Sequence, residues 1–188
     1  MCYITYVMKY KIFKDTHPIM RKKSEEVPLP LSLEDKETLD FMISYLKKSQ
    51  DEEYARKHHV RPGVGLAAIQ IGLLKRMFVI YYQRNEDELV QYQLVNPRII
   101  ESSIKKCALK NGEGCLSVDK DHPGLVHRNY KIKMSAYDAL TNQDIIITAF
   151  GYDAIVLQHE YDHLDGVFYY DHININNINA PLPNEEII

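Results

Sequence analysis

Tryptophan is absent from this 188-residue chain, and cysteine occurs only three times, as Cys2, Cys107 and Cys115. An odd and sparse set of thiols does not suit a secreted domain stapled by disulfides, so a reducing compartment, the cytoplasm, is the expected location. No apolar run approaches the roughly 18 residues that a membrane span needs. Charged residues, 26% of the chain, interrupt each hydrophobic stretch. A basic surplus is also missing. The net charge of -3 argues against a stable nucleic-acid complex, which calls for a positive face to displace phosphate counterions. The opening MCYITYVMKYKIFKD lacks a long apolar core followed by a small-residue cleavage site, and export is not expected.

The chain does have enough apolar content, 45% of residues, for one core. A chain of this length buries about 70% of the surface it exposes when unfolded, and one domain over residues 1–188 is expected. Residues 1–31 are punctuated by Pro18, Pro28 and Pro30 and read as an arm or loop. Ser32 and Asp35 then have the spacing of a helix start, and Leu39, Met42, Ile43 and Leu46 follow at helical intervals, which predicts a helix over 33–49. The charged residues 50–62 either extend that helix or form an exposed loop. MFVIYYQ (77–83) and ELVQYQLV (88–95) flank a polar turn and read as a hairpin, with a third strand at 98–110. KIKMSAYD and DIIITAF form a second hairpin. From Gly151 the period is helical again, with Tyr152, Ile155, Val156, His159 and His163 on one stripe, until Gly166 ends it. The tail over 173–188 is either a short edge strand or without order. Antiparallel hairpins between helices make the fold class α+β.

The strongest chemical signal is QHEYDHLDG at 158–166. Histidines four apart project from one helix face about 5 to 6 Å from each other, a spacing that suits one metal ion. Glu160 stands beside that ion and not against it, where a carboxylate that moves protons belongs. For an isolated histidine pair, a purely structural explanation usually wins. Here both imidazoles share a stripe with Ile155 and Val156 and would face the core, where an unpaired polar group costs about 1 to 3 kcal/mol.

Two ligands are too few, since a catalytic site generally has three protein ligands and an open position. The third is a distant acid or histidine, or a thiolate. Cys115 is the best placed, because Gly112 and Gly114 in NGEGCLS let the backbone come close to the ion. Cys107, inside a regular strand-like stretch, is the weaker competitor, and Cys2 sits near a chain end. His17 is ambiguous; His58, His59, His122, His127 and His172 lie in polar segments and are expected to be exposed. In GVGLAAIQ, closely spaced glycines suit a close approach to the backbone, and the Gln70 amide can donate to a developing oxyanion.

Taken together and in order, GVGLAAIQ (63–70), EGCLS (113–117) and QHEYDH (158–163) resemble the three motifs of the peptide deformylase family. DTHPIMRKKSEEV is similar to that family's N-terminal region, and the insertion before the first motif resembles its type 2 branch. The resemblance implies antiparallel sheets packed around a central metal-binding helix. It implies Cys115, His159 and His163 as metal ligands, Glu160 as general acid and base, and Gln70 with the Leu116 backbone N–H at the oxyanion. Val64, Gly65, Gly114, Ile155 and Val156 would bind substrate, the apolar ones lining a slot for a methionine side chain and Gly65 offering a backbone edge.

The implied reaction is hydrolysis of the N-formyl group from formyl-methionine at the start of new polypeptides, with release of formate. Fe(II) is the favoured ion, and the ligand set also accepts Zn(II), Ni(II) or Co(II). The expected partners are N-formylated nascent chains near the ribosome exit, with no membrane and with a monomer or weak dimer as the assembly. Ile69 departs from the proline that type 2 members typically have before the glutamine, which puts the rigidity of that loop in question. The alternative reading is a zinc endopeptidase that takes a downstream histidine or acid as its third ligand.

Overall fold

The computed structural model describes residues 11–188, so Cys2 lies outside the described residues. The expected first helix forms as α1, Leu33–Ser49. The Ser32 hydroxyl accepts from the Asp35 backbone N–H and donates to the Asp35 carboxylate, which satisfies the helix start. Leu39, Met42, Ile43 and Leu46 are all buried. The charged insertion becomes a separate short helix, α2, Glu52–His58, capped by Asp51 and stopped by His59 in the left-handed conformation.

The remaining elements are β1 (Gly65–Ala67), β2 (Met77–Asn85), β3 (Glu88–Ser102), β4 (Lys106–Ala108), β5 (Arg128–Asn129), β6 (Lys131–Asp138), β7 (Gln143–Phe150), α3 (Gly151–Leu164) and β8 (Glu186–Ile187). The main sheet is antiparallel, in the order β1-β2-β3-β6-β7, and a small sheet has the order β5-β4-β8.

Strand β2 explains why its sequence is apolar without alternation. Met77 and Val79 join α1 in one core, while Phe78, Ile80 and Tyr82 join Ala154, Val156 and Leu157 of α3 in another. Successive side chains point to opposite faces, and both faces here are covered. The fold is the expected α+β arrangement, with a buried helix on one side of an antiparallel sheet.

The strand expected over 98–110 is a correction. Residues 98–102 continue β3, which pairs with β2 and then β6, and a fully exposed Ile104 separates them from β4 in the other sheet. Pro97 would interrupt a regular strand, but it falls at a bulge, where the missing N–H costs no ladder bond. The Asn96 side chain stabilises the irregularity by accepting from Val27 N–H and donating to Val27 C=O. The tail takes the edge-strand form, with β8 parallel to β4.

Within the N-terminal arm, Pro18–Arg21 form a single 3₁₀ turn. The arm also laces together two loops. Phe13 N–H donates to Gln70 C=O at 2.7 Å, Asp15 N–H to Ser117 C=O at 2.8 Å, and Lys14 Nζ to Leu116 C=O at 3.1 Å.

Candidate active site

Helix α3 places His159 and His163 one turn apart, with ring centroids 4.9 Å from each other. Cys115 arrives from the loop after β4, and its Sγ lies 3.2 Å from His163 Nε2. Cys115, His159 and His163 each offer a ligand atom within 4.8 Å of the others, and all three are held in the interior. Tetrahedral coordination with bonds of about 2.0 to 2.3 Å sets ligand atoms roughly 3.5 Å apart, so the spacing fits one ion. His163 Nδ1 is buried without a hydrogen-bond partner, and the donor set is the soft thiolate and imidazole type that late divalent metals favour.

Glu113, the acid two residues before Cys115, fixes the chemistry of His159. Its Oε2 lies 2.8 Å from His159 Nδ1. A carboxylate can only accept, so Nδ1 carries the proton of this bond and Nε2 is the nitrogen left to meet an ion. Arg128 grips the same carboxylate through Nε and Nη2 at 2.9 and 3.0 Å and also pairs with Asp162. Burial alone would raise the Glu113 pKa, but His159 and Arg128 together hold it down at about 2.

Glu160 is buried, and one of its oxygens, Oε2, has no partner. Burial is the main reason that its carboxyl is pushed up to about 7, with the nearby Glu113 adding to the rise and His159 and Arg128 opposing it. Gly65 leaves the space that this carboxyl occupies, because a Cβ there would stand 2.3 Å from Glu160 Oε1 and force the carboxyl to move. Gln70 is also buried. Its Oε1 accepts from Ala67 N–H at 2.8 Å, which turns Nε2 toward Ser117 Oγ at 3.1 Å and Cys115 Sγ at 3.5 Å. Ile69 is wholly buried in the α3-side core. Packing therefore pins the loop without the proline that the resemblance led us to expect.

A cavity of about 260 Å³ opens onto these groups. The sequence-predicted Val64, Gly65, Gly114, Ile155 and Val156 all line it, as do Gln70, Cys115, Leu116, His159 and Glu160. His163 lies behind the wall. Cys107 stands apart, buried in β4, and its thiol is pushed up to about 11 chiefly by burial and then by Glu185 and Glu186.

His58, His59 and His122 are exposed as expected, and so is His17. His127 is a correction: only 14% of its side chain is exposed, because it pairs with the buried Glu185 at 2.7 Å and so ties down the tail. His172, the downstream histidine that an endopeptidase would need, is bonded instead to Asp162 at 2.7 Å. Sequence reasoning missed Glu113, Arg128, Arg61, Leu109 and Tyr152, all but Arg128 also lining the cavity.

An antiparallel sheet laid over a helix that carries two imidazoles, with a thiol and a buried carboxyl at the floor of a cleft, defines a metal-dependent hydrolase. Residues 9–178 match the family of polypeptide deformylases. The chain belongs to that family and is a hydrolase that removes the formyl group from the amino end of new polypeptides. It is 49% identical over 164 residues to a peptide deformylase of Macrococcus caseolyticus, covering 87% of this chain and 89% of that one. It is 45% identical over 166 residues to peptide deformylase 2 of Bacillus subtilis, covering 88% and 90%. Among solved structures, a class I type b peptide deformylase of Acinetobacter baumannii with Met-Ala-Ser bound is similar, with TM-score 0.70, 26% identity, and coverage of 87% of this chain and 98% of that one.

Proposed function

We propose that Cys115, His159 and His163 hold a divalent ion and that Glu160 moves the protons of formyl-group hydrolysis. The observation that carries this reading is the convergence of one thiol and two imidazoles beside a buried carboxyl at the cavity floor. Such an ion supplies Lewis acidity, which polarises a carbonyl oxygen and makes water a nucleophile near neutral pH. Fe(II) is our choice, and Zn(II), Ni(II) or Co(II) suit the same donors.

Glu160 takes a proton from the attacking water as a bond forms to the formyl carbon. It returns that proton to the methionine nitrogen as the C–N bond breaks, leaving formate and a free amine. Gln70 Nε2 and the Leu116 backbone N–H donate to the oxygen that gains negative charge, each such donor being worth about 2.7 to 4 kcal/mol. Val64, Ile155 and Val156 give the methionine side chain its apolar wall, and Gly65 and Gly114 leave room for the peptide backbone. Met-Ala-Ser, bound in the Acinetobacter relative, is the product that deformylation of formyl-Met-Ala-Ser leaves, which supports this substrate class.

We read residues 1–188 as one catalytic domain, and the β8–β4 pairing that ties the tail to the strand preceding the Cys115 loop supports it. The protein acts on nascent chains near the ribosome exit in the cytoplasm, as a monomer or weak dimer. No described helix is long and apolar enough to cross a membrane.

Anaerobic purification with metal analysis and a formate-release assay on formyl-Met-Ala-Ser tests the reading. Wild type releases formate, while Glu160→Ala keeps its metal and loses about 100-fold or more in rate. Absence of formate from metal-loaded wild type would sink the reaction, and full metal retention by Cys115→Ala would sink the ligand assignment.

A further inference from the structure

Exposure along the edge of the main sheet offers a substrate chain a way out of the site. Strand β1 sits at the edge of the main sheet, and an extended peptide can add to such an edge through backbone hydrogen bonds. Leu66 and Ala67 are completely buried, whereas Gly63 and Val64 are half-buried and Arg61 and Pro62 exposed. A peptide whose formyl group is at Glu160, against Gly65, has an accessible path past Val64 and Gly63 toward Arg61. Two or three extended residues span roughly 7 to 10 Å, which brings the second and third residues of the chain into reach of the Arg61 side chain.

That side chain folds back over the cleft. Arg61 Nη2 lies 3.7 Å from the position that a Cβ on Gly114 would occupy, next to Cys115. Arg61 is the one Arg or Lys among the described residues that line the cavity. The two acids in that lining are not free to neutralise it: Glu113 is committed to Arg128 and His159, and Glu160 is buried over Gly65. The guanidinium is pre-positioned by donating from Nη1 to Val118 C=O at 2.9 Å, and from Nη2 to Asp121 at 3.1 Å. Asp121 has 75% of its side chain in solvent, so this partner is one that a second carboxylate can displace. A guanidinium has five N–H donors in a planar fork matched to carboxylates, and two of them are used here.

We propose that Arg61 is a substrate-binding residue that favours formylated chains carrying an acidic side chain at their second or third position. This rests on the deformylase reading and adds a specificity to it. The methionine slot selects the first residue, and Arg61 grades the second and third.

The test uses four C-terminally amidated peptides, so that no terminal carboxylate competes: formyl-Met-Asp-Ala, formyl-Met-Asn-Ala, formyl-Met-Ala-Asp and formyl-Met-Ala-Asn. At low salt, wild type has a kcat/KM about two- to five-fold higher for Asp than for Asn at one position or both, the range expected of a solvent-exposed ion pair. The gain resides in KM and shrinks as salt screens the pair. Arg61→Ala abolishes the preference, Arg61→Lys keeps part of it, and Asp121→Asn enlarges it by removing the competitor. Three results overturn the proposal: no Asp preference in wild type, a preference that survives Arg61→Ala, or an equal loss on all four peptides in that variant. The last would mean that Arg61 merely holds the Val118 loop. Absence of formate from every peptide would sink the deformylase reading and this inference with it, whereas turnover without an Asp preference sinks the inference alone.

Discussion

At the scale of single residues, the site depends on Glu113 as much as on the side chains that face the cavity. Its carboxylate sets the tautomer of His159 and is itself neutralised by Arg128. Changing it to glutamine leaves an amide that can present either a donor or an acceptor to Nδ1. Glu113→Gln is therefore expected to weaken metal affinity by about 10- to 100-fold, read by competition against a chelator. Part of this was legible in the sequence. The spacing of His159, Glu160 and His163 anticipated their shared helix face, whereas Cys115 was only the best of several candidates and Gln70 a weak one until the three motifs were read together. Glu113 was in view inside EGCLS, where an acid two residues from a ligand is a signal for a supporting partner. Arg128 and Arg61 gave no local signal, because their roles exist only once β5 and the α2 turn bring them to the cleft.

At the scale of elements, local chemistry made α1 and both hairpins readable, while long-range pairing hid the rest. The α1 boundary followed from Ser32 and Asp35, and the same Asp35 ties the helix through Lys75 to the segment that leads into β2. Burial would raise the Asp35 pKa, but hydrogen bonds from Lys75 and Ser32 outweigh it and hold it below the usual carboxylate value. A carboxyl depressed in the folded state contributes stability that is present above its unfolded pKa, near 4, and is lost as pH falls through the lower folded value. Thermal melts between pH 6 and 3 should accordingly show a steeper loss for wild type than for Asp35→Asn, which starts less stable. The full length of β3 is hidden in the sequence because Pro97 looks like a breaker and only its neighbour's tertiary partner, Val27, reveals the bulge. The short strands β4, β5 and β8 carry two or three residues each, too few for any period.

At the scale of the whole molecule, the main sheet separates two apolar cores with different duties. The α3-side core includes Cys115, whereas the α1-side core meets the cleft through Leu116. Truncating Met42, fully buried on α1, removes packing at a distance from the cleft. Met42→Ala should cost about 2 to 5 kcal/mol of stability in denaturant unfolding, with kcat per folded molecule unchanged. A fall in kcat at temperatures where the variant remains folded would show that the two cores are coupled.

The N-terminal arm crosses that division. By bonding to Gln70, Leu116 and Ser117 it works as a drawstring around the Gln70 loop and the thiol-bearing loop, reinforcing the direct bond from Gln70 to Ser117. Ile12 packs on the α1-side core and Phe13 on the α3-side core, so a bulky fusion or a nicked peptide bond near Lys14 disturbs the two cleft loops and both cores together. Such a preparation is expected to melt earlier and to turn over more slowly than the intact protein.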